Sequence, residues 1–128
     1  MRILSWNVNG IRAAARKGLV DWMLSDGADV ICLQETKAMP EQLDDTLLNV
    51  EGYKSFFCSA ERKGYSGTAI YAREQSQPLD VQVVTGVKGM DGEGRVIIAE
   101  YIDFYLFNVY FPNGRASKER LAFKMEFY

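Results

Sequence analysis

The run Asp29-Val30-Ile31-Cys32-Leu33-Gln34-Glu35 constrains the fold most. A near-continuous apolar stretch of this length fits a strand buried on both faces, the kind found in parallel sheets. Ahead of it, residues 11 to 25 carry Ile11, Ala14, Ala15, Gly18, Leu19, Trp22 and Met23 at helical spacing, and Gly27 suits the left-handed position that closes a helix. Earlier still, Ile3, Leu4, Trp6 and Val8 around Ser5 and Asn7 predict a buried strand whose polar positions emerge at its end, before the Asn9-Gly10 break. Strand, helix and buried strand together predict two parallel neighbours joined by a crossover helix. Their polar ends, Asn7 on one and Gln34-Glu35 on the other, then emerge at one sheet edge. In α/β sheets ligands bind beyond that edge, outside the carboxyl ends of the strands.

Downstream, Met39-Pro40-Glu41 and the Leu43, Leu47, Leu48 pattern predict a short second helix with Pro at an early position, ended by Gly52. From residue 53 the pattern changes to short β-rich segments: 53–59, 68–73, 81–85, 95–101 and 104–110. They predict an antiparallel meander, with Ile102-Asp103 as a tight hairpin and the KGMDGEG segment as a mobile loop. Pro112-Asn113-Gly114 ends the sheet, and ASKERLAFKMEFY predicts a helix opened by Ser117. Its apolar Leu121, Phe123, Met125 and Phe127 are left without a partner at the chain end, so a fragment, or a chain completed by another chain, is expected. No repeat, linker or low-complexity tract divides residues 1–128, which form a single region.

Composition removes whole classes of chemistry. The chain has no histidine, which excludes Ser-His-Asp and Cys-His catalysis, zinc fingers and most zinc-enzyme sites. A net charge of −2 excludes a wholly basic polyanion binder, so any polyanion must meet a local patch. Cys32 and Cys58 lie in apolar or aromatic surroundings without metal or disulfide spacing, as buried thiols of a reducing compartment would. The first residues lack a signal peptide's apolar stretch, and no run approaches a membrane span, so a cytoplasmic protein of bacterial type with no membrane partner is expected. Trp6 and Trp22 are expected in the core. An amide oxygen beside one carboxylate suits a hard cation, since magnesium takes one or two carboxylates and keeps waters and substrate phosphates for the rest of its shell.

Five blocks, SWNVNGIRA, ICLQETK, KGYSGTAIYAR, DGEGRVIIAEY and NVYFPNG, stand in the order and approximate spacing of the exonuclease III-like apurinic/apyrimidinic endonucleases. The chain resembles the N-terminal half of that branch of the endonuclease/exonuclease/phosphatase superfamily. The resemblance implies an α/β fold: the first half of a four-layered α/β sandwich, contributing one mixed sheet with helices on its outer face. It also implies Mg²⁺, with Mn²⁺ as an alternative, ligated by Glu35, with Asn7 bonding or helping to ligate at the metal and phosphate. Tyr110 would aim its phenol at the scissile phosphate or the leaving group, and Asn113 would contact phosphate from the same loop. Lys37 would support Glu35 and face the DNA backbone.

For DNA contact the candidates are Arg62, Lys63, Tyr65 and Ser66 in the ERKGYSG loop, Arg95, and Arg115, Lys118 and Arg120 after YFPNG. The resemblance implies a DNA-repair nuclease that incises beside abasic sites, with 3′-to-5′ exonuclease and 3′-phosphatase activity on double-stranded DNA bearing abasic sites or 3′ ends. The family's GDFN-type and Ser-Asp-His segments have no counterpart here, so the C-terminal half of the domain is absent and the chain alone is expected to be inactive. The missing half, or another copy of the chain, would complete it. Two alternatives stand beside this: a non-catalytic DNA-binding or interaction module derived from the family, and an RNA-directed or small-phosphoester phosphatase relative.

Overall fold

The computed structural model describes residues 1–61, 63–83 and 93–111. Chain order is β1 (Ile3–Asn7), α1 (Ile11–Arg16), α2 (Leu19–Asp26), β2 (Val30–Gln34), a 3₁₀ turn (Pro40–Gln42), α3 (Asp45–Leu48), β3 (Tyr53–Cys58) and β4 (Thr68–Arg73). After a second 3₁₀ turn (Glu74–Ser76) come β5 (Asp80–Gln82), β6 (Val96–Glu100) and β7 (Tyr105–Val109). As expected, β1 and β2 are parallel, with Ile3 opposite Val30 and Asn7 opposite Gln34. The predicted helix over 11–25 is two helices. Gly18 sits at φ 101°, outside the helical region, and breaks the backbone even though the apolar period runs through it. Gly27 closes α2 in the left-handed conformation.

The strands after residue 53 do not extend one meander. β3 and β4 pair antiparallel and join the parallel pair in a mixed four-stranded sheet of order β1-β2-β4-β3. The remaining strands form a second, antiparallel sheet of order β5-β6-β7. The chain therefore contains the expected mixed sheet with helices on one face and, against its other face, a second sheet; the expectation of one continuous meander is corrected. Pairing between distant strands decides this, and local pattern does not report it. The tight hairpin between β6 and β7 is present and spans four residues, Tyr101 to Phe104, whose rings stack at 4.9 Å. Of the other expected elements, most of the KGMDGEG loop, the Pro112-Asn113-Gly114 stop and the helix opened by Ser117 lie outside the described residues.

Two cores result, one on each face of the four-stranded sheet. Ile31, Leu33, Ala69 and Tyr71 pack with Ile11, Leu19, Met23 and Leu47 of the helices. Val30, Cys32, Ile70 and Ala72 pack with Ile97, Ala99 and Tyr101 of the second sheet. Alternation along β2 and β4 thus feeds both faces, which is why Val30 to Leu33 is apolar throughout. Core phenols are not left unbonded: Tyr71 donates to the Leu47 carbonyl and Tyr53 to the Ala28 carbonyl, each at 2.6 Å, pinning the ends of α3 and α2 to the sheet. Both cysteines are buried, and burial pushes the Cys32 thiol up to about 11. Contrary to expectation, β1 is exposed along most of its length because it lies at the sheet edge, and the tryptophans do not enter the core. Trp6 and Trp22 stay 43% and 36% exposed and meet edge-on at 5.4 Å beside the edge strand β1.

Candidate active site at the carboxyl ends of the strands

Three loops meet where β1 and β2 end and β4 begins. Asn9, Glu35, Lys37 and Ser66 all take φ between 48° and 58°, a left-handed conformation uncommon for residues with side chains. Such strain persists only where surrounding bonds over-determine the backbone. Here Gly10 N donates to Glu35 O at 2.8 Å, Ile11 N to Thr36 O at 2.9 Å, Thr36 N to Gly67 O at 3.1 Å and Lys37 N to Ser66 O at 2.8 Å. The Glu35-Thr36-Lys37 segment is thereby held on both sides. Asn7 adds a local turn, its Oδ1 accepting from Asn9 N at 3.0 Å.

Glu35 is the centre of the resulting cluster. Its Oε1 accepts from the Tyr110 hydroxyl at 2.9 Å and from Asn7 Nδ2 at 3.4 Å, while its Oε2 pairs with Lys37 Nζ at 3.0 Å. Lys37 Nζ also donates to Asn9 Oδ1 at 2.7 Å. Partial burial raises the Glu35 carboxyl, but the bonds from Lys37, Tyr110 and Asn7 outweigh it and hold the group below its ordinary value. Tyr110 responds oppositely: burial first, then its bond to the Glu35 carboxylate, push the phenol up to about 12. The pair is a carboxylate with a neutral phenol donor aimed at it.

Tyr110 follows β7, and Arg95, just before β6, holds it from behind. Tyr110 N donates to Arg95 O at 2.9 Å, Arg95 Nη1 returns a bond to Tyr110 O at 3.1 Å, and the guanidinium lies 5.0 Å from the centre of the Tyr110 ring. Arg95 Nη2 also donates to the Tyr65 hydroxyl at 2.7 Å and pairs with Glu93 at 3.2 Å. With its side chain 2% exposed, Arg95 faces these groups, not solvent. Tyr65 donates to Glu93 Oε1 at 3.0 Å.

Of the residues singled out in the sequence, Asn7, Glu35, Lys37 and Tyr110 come together directly, and Arg95 and Tyr65 stand behind Tyr110. Ser66 is buried at 2% and shapes the loop, and Lys63 is exposed. Arg62, Asn113, Arg115, Lys118 and Arg120 lie outside the described residues. Three participants escaped sequence reasoning. Arg12 and Arg16 line a groove of about 410 Å³ with Gly10, Thr36, Lys37 and Gly64, next to the cluster. Their spacing of four on one helix was the available signal. Glu93, the acceptor between Tyr65 and Arg95, carried no signal.

The donor set fits a hard, hydrated divalent cation. One carboxylate, with the rest of the shell left to waters and substrate phosphates, matches what magnesium takes from protein, and among the described residues no group of three His, Cys, Asp or Glu gathers as a transition-metal cage would require. In this conformation Asn7 turns its Nδ2, not its oxygen, toward Glu35, so it acts as a donor that orients the carboxylate.

Comparison with known proteins identifies the family. An exodeoxyribonuclease of Bacillus subtilis is 42% identical over 98% of the chain and 48% of its own length. The DNA repair nuclease APEX1 of Danio rerio is 38% identical over 97% of the chain and 40% of its own length. The catalytic domain of Xenopus laevis APE2 superposes with a TM-score of 0.82 at 34% identity, covering all of this chain and 51% of that one. An AP endonuclease from Archaeoglobus fulgidus gives 0.81 at 28% identity, over 99% and 48%. The chain thus spans about half the length of these relatives. Residues 4–126 match the Endonuclease/Exonuclease/phosphatase family, and the chain belongs to it.

Proposed function

We propose that this chain carries the metal-anchoring half of a Mg²⁺-dependent DNA-repair nuclease that hydrolyses phosphodiesters beside abasic sites and at 3′ ends, with 3′-phosphatase activity. The observation that carries the reading is the convergence of the Tyr110 hydroxyl, Asn7 and Lys37 on Glu35 at the strand ends. Family membership and the relatives' naming as an exodeoxyribonuclease and a DNA repair nuclease support the substrate class.

Glu35 would hold Mg²⁺, or Mn²⁺, with waters completing the shell. When bound, the ion supplies Lewis-acid stabilisation of charge on the phosphoryl oxygens. Asn7 orients the carboxylate. Tyr110 remains protonated at neutral pH, and its single O–H, which donates to Glu35 here, would turn to the phosphate or the departing 3′ oxygen when substrate is bound. Arg95 holds Tyr110 in place. Lys37, with Arg12 and Arg16 along the adjoining groove, would meet backbone phosphates of double-stranded DNA, and Arg62, Tyr65, Asn113 and Arg115 would extend that contact. Burial of both cysteines in the apolar core between the sheets supports a reducing, cytoplasmic compartment.

With no histidine in the chain, the base that activates the attacking water is assigned to residues outside it. By itself the chain would then bind without cutting, until a complementary segment or a second copy supplies the rest. The test is a duplex with one abasic analogue and Mg²⁺, given the chain alone and the chain mixed with the C-terminal remainder of the Bacillus subtilis relative. The expected result is incision only in the mixture, falling about 10²-fold or more with Glu35→Ala, the scale of losing one electrostatic stabiliser. Incision by the chain alone would show that the base is already present, in one copy or, if sedimentation of the same sample reveals a dimer, across two. Binding without incision in either sample would instead favour a non-catalytic DNA-binding module.

A further inference from the structure

Behind the site, the two sheets are joined largely by apolar contacts, Val30, Cys32, Ile70 and Ala72 against Ile97 and Ala99. Such contacts are non-directional and do not by themselves fix how far one sheet slides over the other. The Tyr110–Glu35 bond does require that registration, because an O–H to oxygen contact weakens within a few tenths of an ångström of its 2.9 Å length, and its partners come from different sheets.

Between the sheets lies a buried carboxamide. Asn108 on β7 is 2% exposed, shares the inward face with Leu106, and donates through Nδ2 to the Leu33 carbonyl at 3.1 Å and the Ala69 carbonyl at 2.8 Å. Those two residues face each other directly in the β2–β4 register, so the amide spans one rung of the other sheet. Its Oδ1 accepts from Gln34 Nε2 at 2.8 Å, and Gln34 Nε2 also donates to Ser5 Oγ on β1 at 2.9 Å. Asn108 thus touches β2 and β4 directly and β1 through Gln34. It stands two residues before Tyr110, and Gln34 immediately precedes Glu35. The strands that carry the phenol and the carboxylate are therefore tied to each other one step back from the site.

We propose that Asn108, with Gln34, is a positioning residue: its buried carboxamide fixes the register between the two sheets so that Tyr110 reaches Glu35. The catalytic consequence rests on the nuclease reading above; the positioning itself does not. A buried amide is the suitable device, since its donors and acceptor demand partners in three defined directions and displacement leaves them unsatisfied.

The experiment labels the chain with ¹³Cζ-tyrosine, identifies Tyr110 by its loss in Tyr110→Phe, and calibrates its dependence on the carboxylate with Glu35→Gln. Asn108→Ala is expected to move the Tyr110 resonance in the direction of Glu35→Gln by at least half as much. Ile97→Val, which thins the same inter-sheet core by one methyl, is expected to leave it in place. Gln34→Ala, at a half-buried position, guards against failure of the Asn108 variant to fold and is expected to move Tyr110 the same way by less. An unmoved resonance in folded Asn108→Ala, or in Gln34→Ala if the first does not fold, overturns the proposal. An equal shift with Ile97→Val also overturns it, because Asn108 would then act as ordinary packing. In the incision assay Asn108→Ala is expected to lower kcat with little change in KM. Absence of incision by the wild-type mixture removes the nuclease reading and leaves the resonance test decisive for positioning.

Discussion

Tyr110 and Glu35 perturb each other in opposite senses, and the two shifts make separate statements about pH. The phenol's folded value is raised from its ordinary 10 to about 12, so the stability it lends is fully present below 10 and is lost as pH rises toward 12. The carboxyl is depressed below its ordinary 4.5, so its contribution is present above that value and is lost as pH falls below it. Between these limits the site keeps a charged acceptor and a neutral donor. An ultraviolet titration of wild type minus Tyr110→Phe is expected to give a difference curve with its midpoint near 12. A midpoint near 10 would mean that the phenol is solvated and does not bond Glu35. Among the described residues Lys37 is the one cation on the carboxylate, and 40% exposure of its side chain keeps that ion pair a modest, screened contribution.

At the scale of elements, the site depends on how tightly the loops after β1 and β2 and before β4 are locked together. Gly67 lies at φ 94°, and a Cβ there would collide with Thr36 Oγ1. Gly52, at φ 83° in the turn before β3, has open space around it. Gly67→Ala is therefore expected to destabilise by more than Gly52→Ala, by about 1–3 kcal/mol of added strain, read from denaturant midpoints. Equal losses would show that the Thr36–Gly67 contact relaxes freely. Much of this framework was legible in the sequence. The Val30–Leu33 run announced a doubly buried strand, and the helical segment before it announced the parallel pair. The Asn7 and Glu35 juxtaposition follows from that pairing alone. The approach of Tyr110 does not, because it depends on β7 lying in a second sheet, and its role was supplied by the family resemblance. The break at Gly18 was hidden by an apolar period that continues across it. Trp6 and Trp22 were expected in the core for their size, yet β1 is an edge strand and leaves them half outside.

Across the whole molecule, a helical layer, the mixed sheet and the antiparallel sheet stack in that order, and the polar loops gather at one end of the stack. Asn7, Gln34 and Glu35 come from the mixed sheet, and Tyr110 and Asn108 from the antiparallel one, so the site belongs to the contact between layers. This explains why an acidic chain can present a cationic groove: Arg12, Arg16 and Lys37 are collected at that end while net charge stays at −2. The proposed function rests on Glu35 as the anchor for a divalent ion. The most direct measurement is Mn²⁺ binding to the chain, followed by electron paramagnetic resonance of the free ion, in wild type, Glu35→Gln and Lys37→Met. Glu35→Gln is expected to weaken binding at least about tenfold, the loss that even an outer-shell partner causes, and Lys37→Met to strengthen it by removing a competing cation. Unchanged Mn²⁺ affinity in Glu35→Gln would contradict the account.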